Sequence, residues 1–154
     1  MSNVQAATTP PALSKPLPVP DESSEGYWAS TADHVLSISR CDHCGTYSHP
    51  PVVICGACLN TEPTFHWERV SGQGRVRSWT IMRDAFLPAF KADIPWLLVD
   101  VELDEQSELR TIGRLVDGPD ARVKLHARVE VVFDDLVPGV SVPAFRLSTQ
   151  GSPT

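Results

Sequence analysis

The 154-residue chain lacks several features that would assign it to a class at once. It has no run of about 18 apolar residues, so we expect no membrane-spanning helix. Its first residues lack the basic patch and the apolar block of a secretory signal, and we therefore expect a cytoplasmic protein. Because structural disulfides are rare in a reducing cytosol, closely spaced cysteines would then point to metal binding.

An excess of positive charge is also missing. The net charge is −6, and ten of the thirteen Lys and Arg residues lie between residues 69 and 128, together with nine acidic residues. Two interpretations stay open for this segment: solvated strand faces, or a local anion site inside an acidic protein. Duplex nucleic acid is a poor fit, because its affinity depends on a real excess of cations that neutralise phosphates.

Recognisable catalytic motifs are absent from the sequence. It contains no Gly-x-Ser-x-Gly elbow, no His-Glu-x-x-His helix and no phosphate-binding glycine loop. His34, His66 and His126 are isolated along the chain, and the acidic pairs 104–105 and 134–135 adjoin turns, where solvated carboxylates are common. We therefore expect this chain not to catalyse a reaction on its own.

The sequence does contain a compact cysteine cluster, with two Cys-x-x-Cys pairs separated by ten residues. Each pair favours a tight knuckle that presents two sulfurs to one ion, and Gly45 stands where such a knuckle commonly needs a positive φ. Four thiolates make His43 and His49 redundant as ligands and leave no position open for substrate. The pattern predicts a structural Zn²⁺ held by Cys41, Cys44, Cys55 and Cys58. Iron and thiol–disulfide chemistry are the less favoured alternatives.

The whole chain divides into five predicted segments. Residues 1–24 hold five of the fourteen prolines and predict a disordered or loosely docked, extended arm. Residues 25–39 show apolar and aromatic residues at roughly helical spacing, which predicts a short amphipathic helix. Residues 40–66 are predicted to form a zinc ribbon, residues 67–148 an OB-fold domain, and residues 149–154 a tail.

The OB-fold prediction depends on five short strand-like segments with turn signals between them and no convincing helix. These are RVRSWTIMR, WLLVDVEL, LRTIGRLV, RVEVVF and VSVPAFRL. In WLLVDVEL the apolar residues alternate with Asp100 and Glu102, as in a half-buried strand. We therefore predict a mainly β protein with an N-terminal helix and a zinc ribbon, followed by a five-stranded antiparallel barrel of the oligonucleotide/oligosaccharide-binding (OB) type.

One connection in the barrel is unusually long and apolar. Residues 84–95, DAFLPAFKADIP, include Phe86, Leu87, Phe90 and Ile94. A twelve-residue loop of this kind is usually functional or flexible. Because this loop is too apolar to remain only in water, we expect it to dock on another surface.

The order of these features is itself informative: an aromatic helix, CDHCG, HPP, CGAC, WERVSGQGRV, SWT, VDVEL, VEVVF and PAFRL. Over about residues 25–147 it resembles the zinc-ribbon/OB-fold family associated with acyl-CoA metabolism. The resemblance implies a rubredoxin-like ribbon with the four cysteines as zinc ligands, and association with thiolase-superfamily enzymes, including steroid side-chain aldolases. One departure is Gly56, where family members often have proline, and the preceding run 52–54 lacks an arginine that they often carry.

The resemblance also implies a function for the chain. It would be a non-catalytic partner of a thiolase-like enzyme acting on acyl-CoA thioesters, in a heterotetramer with two copies of each subunit. The residues that would then contact CoA or the partner are Arg75, Arg77, Arg83, Phe86, Phe90 and Trp96. A free-standing acyl-CoA-binding module would use the same residues and stays open as an alternative. Single-stranded nucleic acid could stack on Trp79 and Trp96, but the acidic balance disfavours it.

Overall fold

The computed structural model describes residues 14–148, so residues 1–13 of the predicted arm and the predicted tail lie outside the described range. Its N-terminal half contains one helix and a three-stranded antiparallel sheet of order β2-β1-β3. These elements are α1 (Glu25–Ala32), β1 (Ser37–Cys41), β2 (Tyr47–Ser48) and β3 (Phe65–Arg69). Between residues 14 and 148, no helix has the length and apolar character needed to cross a bilayer.

The C-terminal part is a closed five-stranded barrel of order β4-β5-β6-β8-β7. Its strands are β4 (Gln73–Met82), β5 (Trp96–Leu103), β6 (Arg110–Leu115), β7 (Arg128–Val137) and β8 (Val140–Leu147). A short 3-10 turn, Pro88–Phe90, interrupts the connection between β4 and β5. The predicted fold class is thus confirmed: a mainly β protein with an N-terminal helix, a ribbon and a five-stranded OB-type barrel.

The prediction of a wholly antiparallel barrel was wrong at one pairing. Strands β6 and β8 run parallel, through the partners Arg114 and Ala144 and the partners Leu115 and Phe145. All other barrel pairs are antiparallel. A closed ring with an odd number of strands cannot alternate direction all the way round, so closure requires one parallel pair.

The barrel core forms from the inward-facing residues of these strands. Strand β5 alternates strictly, with its odd-numbered residues buried from Leu97 to Leu103 and with Asp100 and Glu102 pointing outward. Phe145 and Val129 are fully buried within the same hydrophobic cluster. Each such side chain contributes about 1.5–3 kcal/mol when removed from water, so this alternation fixes which face of each strand points inward.

The helix is shorter than the predicted segment 25–39. It ends at Ala32, and residues 37–39 belong to β1, where they pair with β3. His34 adopts a φ of 56°, a left-handed conformation that cannot continue a right-handed helix. Of the apolar residues that follow, Leu36 is buried just before β1 and Ile38 is buried within it. A short apolar run fits both the 3.6-residue period of a helix and the two-residue period of a strand. For this reason the spacing alone predicted a helix that continued too far.

Candidate functional site

The four cysteines converge at one end of the three-stranded sheet. Their sulfur atoms all lie within 4.8 Å of one another. The Sγ atoms of Cys41 and Cys58 are 3.9 Å apart, and those of Cys44 and Cys55 are 3.5 Å apart. A tetrahedral zinc ion with Zn–S bonds near 2.3 Å needs sulfur atoms about 3.8 Å apart, and these two distances are close to that value.

Each cysteine pair is shaped by the same backbone turn. The N–H of Gly45 donates to the carbonyl of Cys41 at 2.8 Å, and the N–H of Leu59 donates to the carbonyl of Cys55 at 3.0 Å. Gly45 has a φ of 76°, as its position after the first pair predicted. Leu59 occupies the equivalent position with a φ of 53°, so the second knuckle imposes this conformation on a residue that rarely adopts it.

The chemistry of the cluster suits a closed metal site. Cys41 and Cys55 are buried, while Cys44 is exposed beside Thr46. Hydrogen bonding from the Thr46 side chain and backbone lowers the pKa of Cys44 to about 6, which favours the thiolate form that binds metal. Four thiolates would complete the coordination of one zinc ion and leave no position for water or substrate.

Neither of the neighbouring histidines belongs to the cluster. His43 lies exposed between the first two cysteines. The ring of His49 packs against Tyr27, with ring centroids 5.4 Å apart. Burial in this contact lowers the pKa of His49 and favours its neutral form. His49 therefore acts in packing between the ribbon and α1.

The three predicted anion-binding arginines do not come together. Arg77 donates to Glu102 at 2.7 Å, and Arg75 lies 3.9 Å from Asp104. Both side chains lie on β4 and have carboxylate partners on the barrel surface. Arg83 follows the opposite end of β4, roughly 25 Å from Arg75 along an extended strand. No single anion could contact all three.

The apolar loop 84–95 docks partly on the chain itself. Phe90 packs against Trp96 with ring centroids 5.7 Å apart. The ammonium group of Lys15, from the arm, lies 5.4 Å from the centre of the Phe90 ring and forms an ion pair with Asp93. Phe86 is 97% exposed. The structure therefore brings two of the predicted aromatic residues together and leaves the third in solvent.

A groove of about 800 Å³ opens between this loop and the β7–β8 hairpin. Leu98 and Arg114 lie on the strands that form its floor. Arg114 donates two hydrogen bonds to Asp134, at 2.9 and 2.8 Å, and this contact raises the pKa of the guanidinium. Sequence reasoning missed the groove, because its residues come from distant segments and Asp134 was interpreted as a solvated turn residue.

One cluster has the composition of a hydrolytic triad but not its geometry. Ser141 Oγ donates to Asp135 Oδ1 at 2.6 Å, and His34 Nε2 lies 2.6 Å from the same oxygen. In a nucleophilic triad the imidazole stands between the serine and the carboxylate and takes the serine proton. Here the carboxylate stands in the middle, so the imidazole does not activate Ser141.

Comparison with known sequences identifies both domains. Residues 28–64 match the rubredoxin-like zinc ribbon domain of ChsH2, and residues 67–134 match the C-terminal OB-fold domain of ChsH2. A curated relative from Thermomonospora curvata, named a probable enoyl-CoA hydratase alpha subunit, is 32% identical over 147 residues. The alignment covers 92% of this chain and 42% of that relative, so the chain spans less than half of the relative's length.

Solved structures agree with this assignment. A chain of the Ltp2-ChsH2(DUF35) aldolase superimposes with a TM-score of 0.72 and 25% identity, covering 84% of this chain and 98% of that one. A DUF35-family protein of unknown function from Sulfolobus solfataricus has a TM-score of 0.56 and 14% identity, covering 82% and 86%, and shares the fold. Cys41, Cys44, Cys55 and Cys58 therefore form the structural zinc site of a rubredoxin-like ribbon, and the chain belongs to the family of ChsH2-type zinc-ribbon/OB-fold proteins.

Proposed function

We propose that this chain is a non-catalytic subunit that binds and supports a thiolase-superfamily enzyme acting on acyl-CoA thioesters. The observation that carries the proposal is the likeness to a chain of the Ltp2-ChsH2(DUF35) aldolase over 98% of that chain. The order of sequence motifs supports the finer parts of the proposal. These are a thiolase-like aldolase, thiolase or acyltransferase as the partner, a heterotetramer with two copies of each subunit, and a steroid or other lipid side chain as the substrate.

The chemistry of the chain's own residues is consistent with a non-catalytic role. A four-thiolate zinc site offers no open position at which a substrate could be polarised or a water activated. Ser141 lacks the adjacent imidazole that would make it a nucleophile. In this proposal the partner provides the catalytic groups, and the present chain provides docking and shields the reaction from water.

The loop 84–95 is the segment that we assign to the partner or its thioester. Phe86 and Leu87 are 97% and 43% exposed, which is costly for a loop with no further contact. Arg83 adjoins them and could form charge-assisted hydrogen bonds to a CoA phosphate. Arg75 and Arg77 already have carboxylate partners, so we assign them to the barrel surface rather than to CoA.

Co-expression with a thiolase-superfamily enzyme from the same organism tests the proposal. We expect a complex that survives gel filtration, and carbon–carbon bond cleavage of an acyl-CoA that requires both subunits. Phe86→Ser should weaken the complex, whereas Val53→Ser, at a comparably exposed apolar residue of the ribbon, is the matched control. Equal activity of the partner with and without this chain would refute the proposal.

Calorimetry separates the proposal from its main alternative. Titration of the isolated chain with an acyl-CoA should give no measurable heat of binding if the partner completes the site. Micromolar affinity without a partner would instead favour a free-standing acyl-CoA-binding module.

A further inference from the structure

The turn between β5 and β6 contacts three parts of the chain through three consecutive residues. The N–H of Asp104 donates to the carbonyl of Gln73, at the start of β4, at 3.0 Å. Glu105 Oε1 accepts a hydrogen bond of 2.6 Å from the N–H of Ser71, which lies in the linker between the ribbon and the barrel. The side chain of Gln106 contacts β2 of the ribbon. One turn of the barrel therefore connects the barrel, the linker and the ribbon.

Gln106 pairs with the edge of β2 as a neighbouring strand would. The N–H of Tyr47 donates to Gln106 Oε1 at 2.9 Å, and Gln106 Nε2 donates to the carbonyl of Tyr47 at 3.1 Å. A side-chain amide carries the same kinds of donor and acceptor as a peptide group, so both main-chain groups of Tyr47 are satisfied. Among the described residues, β2 has only two residues and pairs with β1 alone. Without Gln106 its outer edge would therefore be unpaired.

Tyr47 carries this contact into the rest of the ribbon. Its hydroxyl donates to Glu68 Oε1 of β3 at 3.0 Å, and the guanidinium of Arg40 on β1 lies 5.0 Å from the centre of its ring. In sequence, Tyr47 follows Cys44 and precedes Cys55, so it belongs to the connection between the two knuckles. A restraint on the main chain of Tyr47 is therefore a restraint on the segment that joins the two halves of the zinc site.

The backbone of Gln106 is itself well anchored. Its carbonyl accepts a hydrogen bond of 3.2 Å from the N–H of Leu109. Leu109 is only 2% exposed and belongs to the same hydrophobic cluster as Leu36 and Ile38 from the N-terminal half of the chain. The N–H of Glu108 donates to the carboxylate of Glu102 on β5. Because the barrel already fixes this turn, only the side chain of Gln106 has to be ordered when it contacts β2.

We propose that residues 104–106 form a clamp between the barrel and the ribbon, and that Gln106 is a positioning residue for the zinc site. The barrel holds β2 through Gln106, and β2 in turn limits the opening of the connection between the two cysteine pairs. Coupling of this kind is reciprocal, so a ribbon closed around zinc stabilises the Gln106 contacts by the same factor as these contacts stabilise the closed ribbon. The clamp acts within the chain, so it requires no partner and does not depend on the proposed function.

Two measurements on the full-length, zinc-loaded chain test the clamp. Amide hydrogen exchange followed by NMR reports the opening of the Tyr47 N–H, and the rate of zinc transfer to an excess of chelator reports the opening of the ribbon. Gln106→Ala removes both hydrogen bonds to β2, so both rates should rise about tenfold. Ser107→Ala is the matched control, because Ser107 is exposed in the same turn, and it should leave both rates at the wild-type values.

A second variant separates hydrogen bonding from packing. Gln106→Met has a side chain of similar length but lacks both polar groups, so it should behave like Gln106→Ala. The amide of Val99, which is fully buried in the barrel, should exchange at the wild-type rate in every variant and so show that the barrel is intact. A wild-type rate of Tyr47 exchange or of zinc transfer in Gln106→Ala, wild-type behaviour of Gln106→Met, or an equal effect of Ser107→Ala would each overturn the proposal.

Discussion

Gly26 of α1 lies against the indole ring of Trp67 on β3. A Cβ atom at residue 26 would fall 2.1 Å from Nε1 and 2.3 Å from Cδ1 of that ring. Tyr27, the next helix residue, is buried with its ring centroid 6.4 Å from that of Trp67. The helix can approach the ribbon sheet this closely because residue 26 has no side chain.

The first prediction concerns this contact. Gly26→Ala should destabilise the protein by about 1–3 kcal/mol, because the new methyl group overlaps the indole and forces α1 or Trp67 to move. The substitution would otherwise favour a helix, so a loss of stability can be ascribed to packing. Urea unfolding with zinc present measures the effect. Gly56→Ala, where the added Cβ has no atom within 4 Å, should change little, and equal stability of the two variants would contradict the packing of α1.

The zinc site gives a second prediction. Cys44→Ser or Cys55→Ser should abolish stoichiometric zinc and unfold the ribbon, since structural zinc provides apparent binding energies of about 10–16 kcal/mol in small zinc-finger peptides. Zinc analysis and circular dichroism measure the two losses together. His43→Ala is the matched control, because His43 lies within the first knuckle but outside the ligand cluster, and it should retain one zinc per chain. A cysteine variant that keeps full zinc would contradict the assigned ligands.

A third prediction concerns the link between the helix and the barrel. His34 stacks on Phe133 with ring centroids 5.2 Å apart and a 5° angle between the planes, and it contacts Asp135. His34→Asn should lower the melting temperature by a few degrees, because asparagine tolerates the left-handed backbone but cannot stack. His126→Asn is a close control, since His126 also has a positive φ, 63°, and an exposed side chain. Equal melting temperatures for the two variants would argue against a stabilising contact.

The features that sequence could predict are those encoded locally. The strand β5 is evident because Leu97, Val99, Val101 and Leu103 alternate with polar residues, and burial follows the same period. The zinc ligands are evident because each Cys-x-x-Cys pair builds its own turn. The helix end was misjudged, since the left-handed conformation of His34 leaves no local signal in an apolar segment that also fits a helix.

The groove could not be predicted, because no part of its chemistry is local. Lys15, Phe90 and Asp134 are separated by tens of residues and meet only after the barrel closes. Arg75, Arg77 and Arg83 show the converse, that closeness in sequence does not bring side chains together. Their spacing in the sequence suggested one anion site. The extended strand β4 instead places Arg83 far from Arg75, and both Arg75 and Arg77 have carboxylate partners.

The last prediction concerns the pH dependence of stability. His66 Nδ1 lies 2.5 Å from Asp42 Oδ1, and Nε2 lies 3.2 Å from Glu68 Oε2, which also accepts a hydrogen bond from Arg40. The hydrogen bonds to Asp42 and then to Glu68 raise the pKa of His66 in the folded protein. The contribution of protonated His66 to the stability of the folded protein should therefore be complete at a pH below the pKa of the unfolded state, near 6.5. It should disappear as the pH rises through the higher pKa of the folded state.

His66→Gln measures this contribution by difference. The wild type should melt at a higher temperature than the variant at pH 6, and the gap should narrow towards pH 8. Both proteins should be compared at the same pH and zinc concentration, because proton competition for the cysteine ligands then affects them alike. A gap that stayed constant over this range, or widened as the pH rose, would show that the charged form of His66 does not stabilise the ribbon.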